Sequence, residues 1–249
     1  MGLKNYLMSR KDGNNDRYKM FIGQNIIKQL KDAGAVLALL SNKADGSGPL
    51  TGNDSPWVDL SGFGNDCTLF NQAGTVSSGW QSNPFVNRMD GTDDYGGFAD
   101  TASLDITSAP LAIGVTFKNP TDDGGFTCAK SISAAGDTQY GLLNRVGRTI
   151  EFYVTGVPYA AFAVDSANYV NVIFYWDGVN VTSYENGVQK NQTTLGGTLT
   201  SYGTLKLCKR GTSHLAADIC TQTIYTGSDI NKILAAEAKI SAEYLALNP

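Results

Sequence analysis

From Trp57 onward, apolar residues recur with a period of two, and this pattern constrains the fold more than any other feature of the chain. Leu111, Ile113, Val115 and Phe117 alternate with Ala112, Gly114 and Thr116. Val170, Val172, Phe174 and Trp176 alternate with Asn171, Ile173 and Tyr175, and Ile150, Phe152 and Val154 alternate with Glu151 and Tyr153. Leu205 and Leu207 flank Lys206. Successive side chains on a strand point to opposite faces, so one apolar face per run means half-buried antiparallel strands. Asp90-Gly91, Asp122-Asp123-Gly124-Gly125, Asp177-Gly178, Asn186-Gly187 and Gly196-Gly197 punctuate the runs. Asn-Gly and Asp-Gly supply the positive φ that tight hairpins need. The spacing predicts about a dozen short strands in a two-sheet sandwich. No repeat at a period of roughly 20–50 residues is visible, which disfavours a solenoid or propeller.

Two helices flank this β region. Phe21, Ile26, Ile27 and Leu30 recur at helical spacing between Met20 and Ala33, and Gly34 sits where a helix C-cap belongs. AVLALL (35–40) fits a buried strand, and residues 41–56 form a turn-rich loop. Near the end, Ser228 is the expected N-cap, with Asp229 in the first turn. Ile230, Ile233, Leu234, Ile240, Tyr244 and Leu245 then make one apolar stripe. Residues 1–19 are polar, basic and irregular. The domain division is therefore an arm with its helix over 1–34 and a sandwich with its C-terminal helix over 35–249.

Charge separates the same two parts. The net charge is −4, yet residues 1–32 hold seven Lys or Arg and three Asp, and the remainder holds 12 basic and 20 acidic residues. Such a split points to an appended arm with its own partner. Charged residues make up only 17% of the chain, against roughly 25% in an ordinary domain. There are four Glu and one His, little material for acid–base or metal chemistry. Cys67, Cys128, Cys208 and Cys220 have no metal-ligand spacing and read as buried free thiols. No apolar run reaches the roughly 18 residues of a membrane span, and the N-terminus lacks the apolar region of a secretory signal.

Four blocks in order carry a resemblance. Over 36–72, Trp57, Asp59, Leu60, Ser61, Gly62, Gly64, Asn65, Asp66, Thr68 and Leu69 match the pattern "W-x-D-L-S-G-N-G-N-D-G-T-L", with Phe63 and Cys67 departing from it. Residues 85–118 match "F-D-G-x-D-D-Y" followed by "S-L-D-I-T", with Met89 in place of Phe. Residues 176–190 are similar to a "D-G…Y-x-N-G" hairpin, and 224–245 to a closing strand and helix. Together they resemble concanavalin A-like, laminin-G-like jelly-roll domains of the kind found in tailed-phage virion proteins. The resemblance implies an all-β, two-sheet antiparallel jelly roll, and it covers about residues 35–245. The fold carries many activities, so function must come from a site.

The enzymes best known on this fold, laminarinase-type retaining glucanases, need two carboxylates roughly 5–5.5 Å apart. On a strand this reads E-x-D-x-E or E-x-D-x-x-E. None of Glu151, Glu185, Glu237 and Glu243 begins such a motif, so no catalytic residue is assigned. His214 falls in a loop with no nucleophile or orienting acid beside it in sequence. Asp90, Asp93 and Asp94, and Asp122-Asp123, are oxygen donors that suit calcium, although Asp favours turns without any ion. Trp80, Tyr95, Tyr159 and Tyr202 lie in or near loops and read as a carbohydrate platform. Arg10, Lys11, Arg17 and Lys19 with Phe21, Ile26, Ile27 and Leu30 read as an anchor, docking either on the chain's own sandwich or on a neighbour.

The expectation is a non-enzymatic phage virion structural protein, a capsid decoration, head-fibre or tail-associated chain, made in the host cytoplasm and displaying a lectin-like domain. Its alternative is a carbohydrate-binding adhesin or receptor-binding module, and a glucanase ranks last. No cofactor is expected beyond calcium. The expected partners are other virion proteins, host-surface glycan and further copies of the chain, with no nucleic acid and no membrane insertion.

Overall fold

A computed structural model describes residues 25–41, 55–82, 85–119, 124–131, 138–154, 157–165, 167–196, 199–200, 203–210 and 212–247. In chain order these form α1 (25–32), β1 (Ala35–Leu40), β2 (Cys67–Phe70), β3 (Gly79–Ser82), β4 (Phe85–Asp90), β5 (Tyr95–Phe98) and β6 (Leu111–Lys118). There follow β7 (Gly125–Ser131), β8 (Thr138–Arg145), β9 (Thr149–Val154), β10 (Val157–Ala163), β11 (Val170–Trp176), β12 (Asn180–Glu185) and β13 (Val188–Thr194). The series ends with β14 (Thr204–Leu207), β15 (Lys209–Arg210), β16 (Ser213–His214), β17 (Ala216–Tyr225) and α2 (Ile230–Leu247).

Two antiparallel sheets face each other. One runs β13-β12-β11-β6-β17-β4-β3, with β1 also on β17, and the other runs β10-β9-β8-β7-β14-β5-β2. This is the expected all-β jelly-roll sandwich. The apolar phase of each alternating run fills the space between the sheets, where Leu111, Ile113, Val115 and Phe117 meet Phe152, Phe174, Trp176, Leu205 and Leu207. β17 is the organising strand. One edge pairs with β6 along its length, while the other pairs with β4 over Ala216–Ile219 and with β1 over Thr221–Tyr225.

The outer face of the eight-stranded sheet is not solvated. Ile26, Leu30 and Ala33 from the α1 segment and Ile233, Ala236 and Ile240 from α2 pack on Ala38, Leu40, Ala112, Ile173, Cys220 and Tyr225 in a second core. Ile26 and Leu30 thus dock on the chain's own sandwich, the first of the two alternatives the sequence left open. Gly34 ends α1 with φ 82°, and a Cβ there would stand 2.8 Å from the backbone of Gly227, so the turn after α1 needs glycine for both angle and room. The N-cap of α2 is Asp229, not Ser228, because Asp229 Oδ1 accepts the Asn231 and Lys232 amides at 3.1 and 3.3 Å.

Beneath α2 lies a polar cluster. Glu237 is fully buried and accepts hydrogen bonds from Thr223 Oγ1 at 2.6 Å, Tyr225 OH at 2.5 Å and Asn171 Nδ2 at 2.9 Å. Burial pushes its carboxyl above the ordinary range, and the three donors pull it back in part. Gly114 makes the room, since a Cβ there would meet Thr223 Oγ1 at 2.4 Å and Glu237 Oε1 at 2.8 Å.

The motif on which the resemblance rests is a clamp. Asp59, 6% exposed, accepts the Ala38 and Ser61 amides on Oδ1 and the Asn65 amide and Ser61 hydroxyl on Oδ2. Trp57 Nε1 donates to the Leu40 carbonyl at 2.7 Å, and Asn65 Nδ2 to the Val36 carbonyl at 2.7 Å. The bonds to Ala38, Leu40 and Val36 tie the loop to β1 and the others brace the loop itself, so these residues hold the fold.

Candidate functional site

Helices cover one sheet, and the outer face of the other carries the candidate site. Cys67, Cys128, Leu142, Phe152, Leu205 and Leu207 of the seven-stranded sheet point into the main core. Their chain neighbours therefore point outward. One register row crosses the strands as Thr68, Gly97, Lys206, Ala129, Gly141 and Tyr153. Only the first three of the six reach the surface: Ala129 is fully buried, Tyr153 is 7% exposed, and Gly141 is buried against the Phe126 ring, so this face is open along β2, β5 and β14 and covered over β7 to β9.

Aromatic rings stand on that exposed strip. Phe70 and Tyr95 are opposite each other in register and stack with centroids 4.6 Å apart and planes 10° from parallel. The Phe70 ring lies over Gly97, with Cε2 only 3.1 Å from where a Cβ would be. The other face of Tyr95 is covered by Lys209, whose Nζ is 3.8 Å from the ring centroid. Phe70 remains 38% exposed, so its ring is the one that offers a face. Farther along, Phe126 and Tyr153 meet edge to face at 5.5 Å with the Arg210 guanidinium over both.

The β4–β5 turn adjoins this region. Asp90, Asp93 and Asp94 bring carboxylate oxygens within 4.8 Å of one another, a donor set of the kind calcium takes. Asp90 Oδ1 accepts the Thr92 and Asp93 amides, which is turn chemistry. Asp94 is buried, its Oδ2 accepts the Asp90 amide at 3.1 Å, and its Oδ1 has no hydrogen-bond partner. Burial raises its pKa, and the neighbouring Asp90 and Asp93 charges add to the rise. His214 lies 6.2 Å from Tyr95, centroid to centroid. Its pKa is lowered by burial and by the Lys209 charge, which keeps it neutral near pH 7.

The expected platform dissolves in part. Trp80 is 6% exposed and packs edge-on against Trp57 at 4.9 Å, so its face is unavailable. Tyr95 is in the right place, but both its faces are occupied. Tyr159 packs against the main core from β10, and Tyr202 lies outside the described residues. Arg10, Lys11, Arg17, Lys19 and Phe21 also lie outside them, as does the Asp122-Asp123 pair. Phe70 and Lys206, which complete the face, were not singled out by sequence. The four cysteines are buried and in no disulfide, with thiols pushed up by burial. Among the other carboxylates, Glu151 pairs with Arg145 at 2.9 Å and Glu185 with Lys190 at 2.6 Å.

No family model and no curated protein matches the chain. Solved structures share its fold. The botulinum neurotoxin serotype D ligand-binding domain in complex with N-acetylneuraminic acid superposes with a TM-score of 0.60 at 12% identity, over 85% of this chain and 52% of that one. A botulinum neurotoxin type C structure, described as interacting with two ganglioside molecules, gives 0.58 at 12% identity over 90% and 53%. A Trypanosoma rangeli sialidase in complex with sialic acid gives 0.59 at 12% identity over 93% and 39%. At this identity the likeness is one of fold, and the chain spans about half or less of each neighbour's length.

Proposed function

We propose that the protein is a carbohydrate-binding module that takes glycan on the exposed β2-β5-β14 end of its seven-stranded sheet. The observation that carries the reading is the exposed Phe70 ring, backed by Tyr95 and lying over Gly97. A sugar ring stacks its C–H face on an aromatic ring and needs an adjacent surface without bulky side chains. The neighbours of like fold include structures bound to sialic acid, which supports the reading without fixing the ligand. The pairing of Glu151 and Glu185 with cations favours binding over glycoside hydrolysis, which needs a free acid and nucleophile. A glycan array probed with the full chain tests the proposal. Wild-type protein binds at least one glycan class, and Phe70→Ala weakens that binding about tenfold, near 1.4 kcal/mol. A folded protein that binds nothing on the array overturns it.

A finer reading displays this module on a phage particle through its N-terminal arm. It is favoured by the basic excess of residues 1–32 over an acidic remainder and by the block resemblance. Removal of residues 1–24 abolishes incorporation into particles if the arm is the anchor, and unchanged incorporation overturns that assignment.

A further inference from the structure

We infer that the glycan taken by this face carries an anionic substituent, a carboxylate or a sulfate, received by Lys206 with Lys209 beside it. The inference rests on the carbohydrate reading and names its ligand class. Lys206 sits in the middle of the outward row, between Gly97 on β5 and Ala129 on β7. Neither neighbour has a side chain long enough to cover it. Among the described residues it makes no ion pair, while Lys28, Lys130, Lys190 and Lys232 each have an acidic partner within 4.0 Å. Lys209 holds its ammonium over Tyr95, on the ring face opposite Phe70, and also has no acidic partner. Both cations thus come from the β14 side of β5, next to the aromatic pair.

The electrostatic background gives this weight. Beyond residue 32 the chain holds 12 basic and 20 acidic residues, so a random patch is expected to be negative. The seven-stranded sheet is the reverse. Its strands hold a single acidic residue, Glu151, which Arg145 already neutralises at 2.9 Å. Lys206 and Lys209 are the cations of the exposed strip, and the Asp90–Asp94 turn lies at its margin beside His214. An anionic substituent seated at Lys206 gains from the ammonium where a neutral sugar does not, so charge is the property by which this strip discriminates. An ammonium–carboxylate hydrogen bond is roughly twice as strong as a neutral one and weakens with salt.

The test uses matched probes on the full chain: 3′-sialyllactose against lactose, and 6-sulfogalactose against galactose, titrated at low and high salt. The acidic member of at least one pair binds tenfold or more tightly than its neutral counterpart, and the excess shrinks with salt. The pair that responds separates carboxylate from sulfate. Lys206→Gln removes most of the excess and keeps the wild-type melting temperature, while Lys206→Arg retains it. Equal binding of acidic and neutral members overturns the inference and leaves the carbohydrate reading standing. An unchanged excess in Lys206→Gln overturns the role of Lys206. Binding of no glycan on the array overturns both readings together.

Discussion

The charges that matter most to stability are few and individually placed. Glu237 is the clearest case, because it is the only carboxylate under α2 among the described residues and three donors converge on it. Its folded-state pKa is raised, so its contribution to stability is fully present below its ordinary value of 4.5 and is lost as pH rises through the raised value. Glu237→Gln does not titrate. The melting temperature of wild type minus that of Glu237→Gln is therefore greatest near about pH 4 and falls towards neutrality, a trend that scanning calorimetry across pH reads directly. Tyr225→Phe removes one charge-assisted donor and costs about 1.5–3 kcal/mol in urea denaturation at neutral pH. Arg88 and Asp218 form the other strong contact, with Nε–Oδ1 at 2.6 Å and Nη2–Oδ2 at 2.8 Å, and Tyr169 OH adds a third bond to Asp218. Arg88→Ala leaves Asp218 buried with a single partner and lowers stability by about 3 kcal/mol, a loss that Asp218→Asn in the same background reduces.

At the scale of elements, alternation found the strands and assigned their inner faces correctly. Leu111, Ile113, Val115 and Phe117 lie between the sheets as the pattern requires. The opposite phase was harder to read. Ala112, Gly114 and Thr116 look like a solvent face in sequence, yet Ala112 and Thr116 are fully buried because two helices from the chain's extremes cover that sheet. Small residues there mark close helix approach rather than exposure. Gly114→Ala brings a methyl against Thr223 and Glu237 and destabilises by about 1–3 kcal/mol, measured by chemical denaturation. β13, Val188–Thr194, is exposed at nearly every position and has no apolar phase, so only the Asn186-Gly187 turn announces it. The candidate site was legible one residue at a time and illegible as a constellation. The Asp90–Asp94 turn and Tyr95 were visible, but Phe70, Tyr95 and Lys206 come onto neighbouring strands only through the order β2-β5-β14. Local pattern does not encode that order.

For the molecule as a whole, the two faces of the sandwich have different fates. One sheet is sealed by helices, and the other is exposed at its β2-β5-β14 end, with its cations and its aromatic pair. The sequence suggested a divide at residue 34, but α1 belongs energetically to the sandwich. Leu30 is fully buried and Ile26 is 6% exposed, both in the core beneath the helices. Leu30→Ala lowers stability by about 2–5 kcal/mol. Deletion of residues 1–34 lowers the melting temperature through the same loss, whereas a chain starting at Asn25 keeps every contact described here. Thermal melts of the two truncations side by side decide the point. An experiment on the arm alone must therefore cut before α1, or it reports on folding.

β17 also sets a schedule. It emerges from the ribosome more than 170 residues after β1, yet β1, β4 and β6 all pair with it. During synthesis these three strands wait without their shared neighbour, and α1 waits without its platform. Pairings this distant in sequence make folding slow, because the entropy of closing the loop is lost before the contacts form. The half-made chain thus exposes β-edges and an apolar helix until β17 appears, which makes this a protein whose yield depends on what shields it while it is being made.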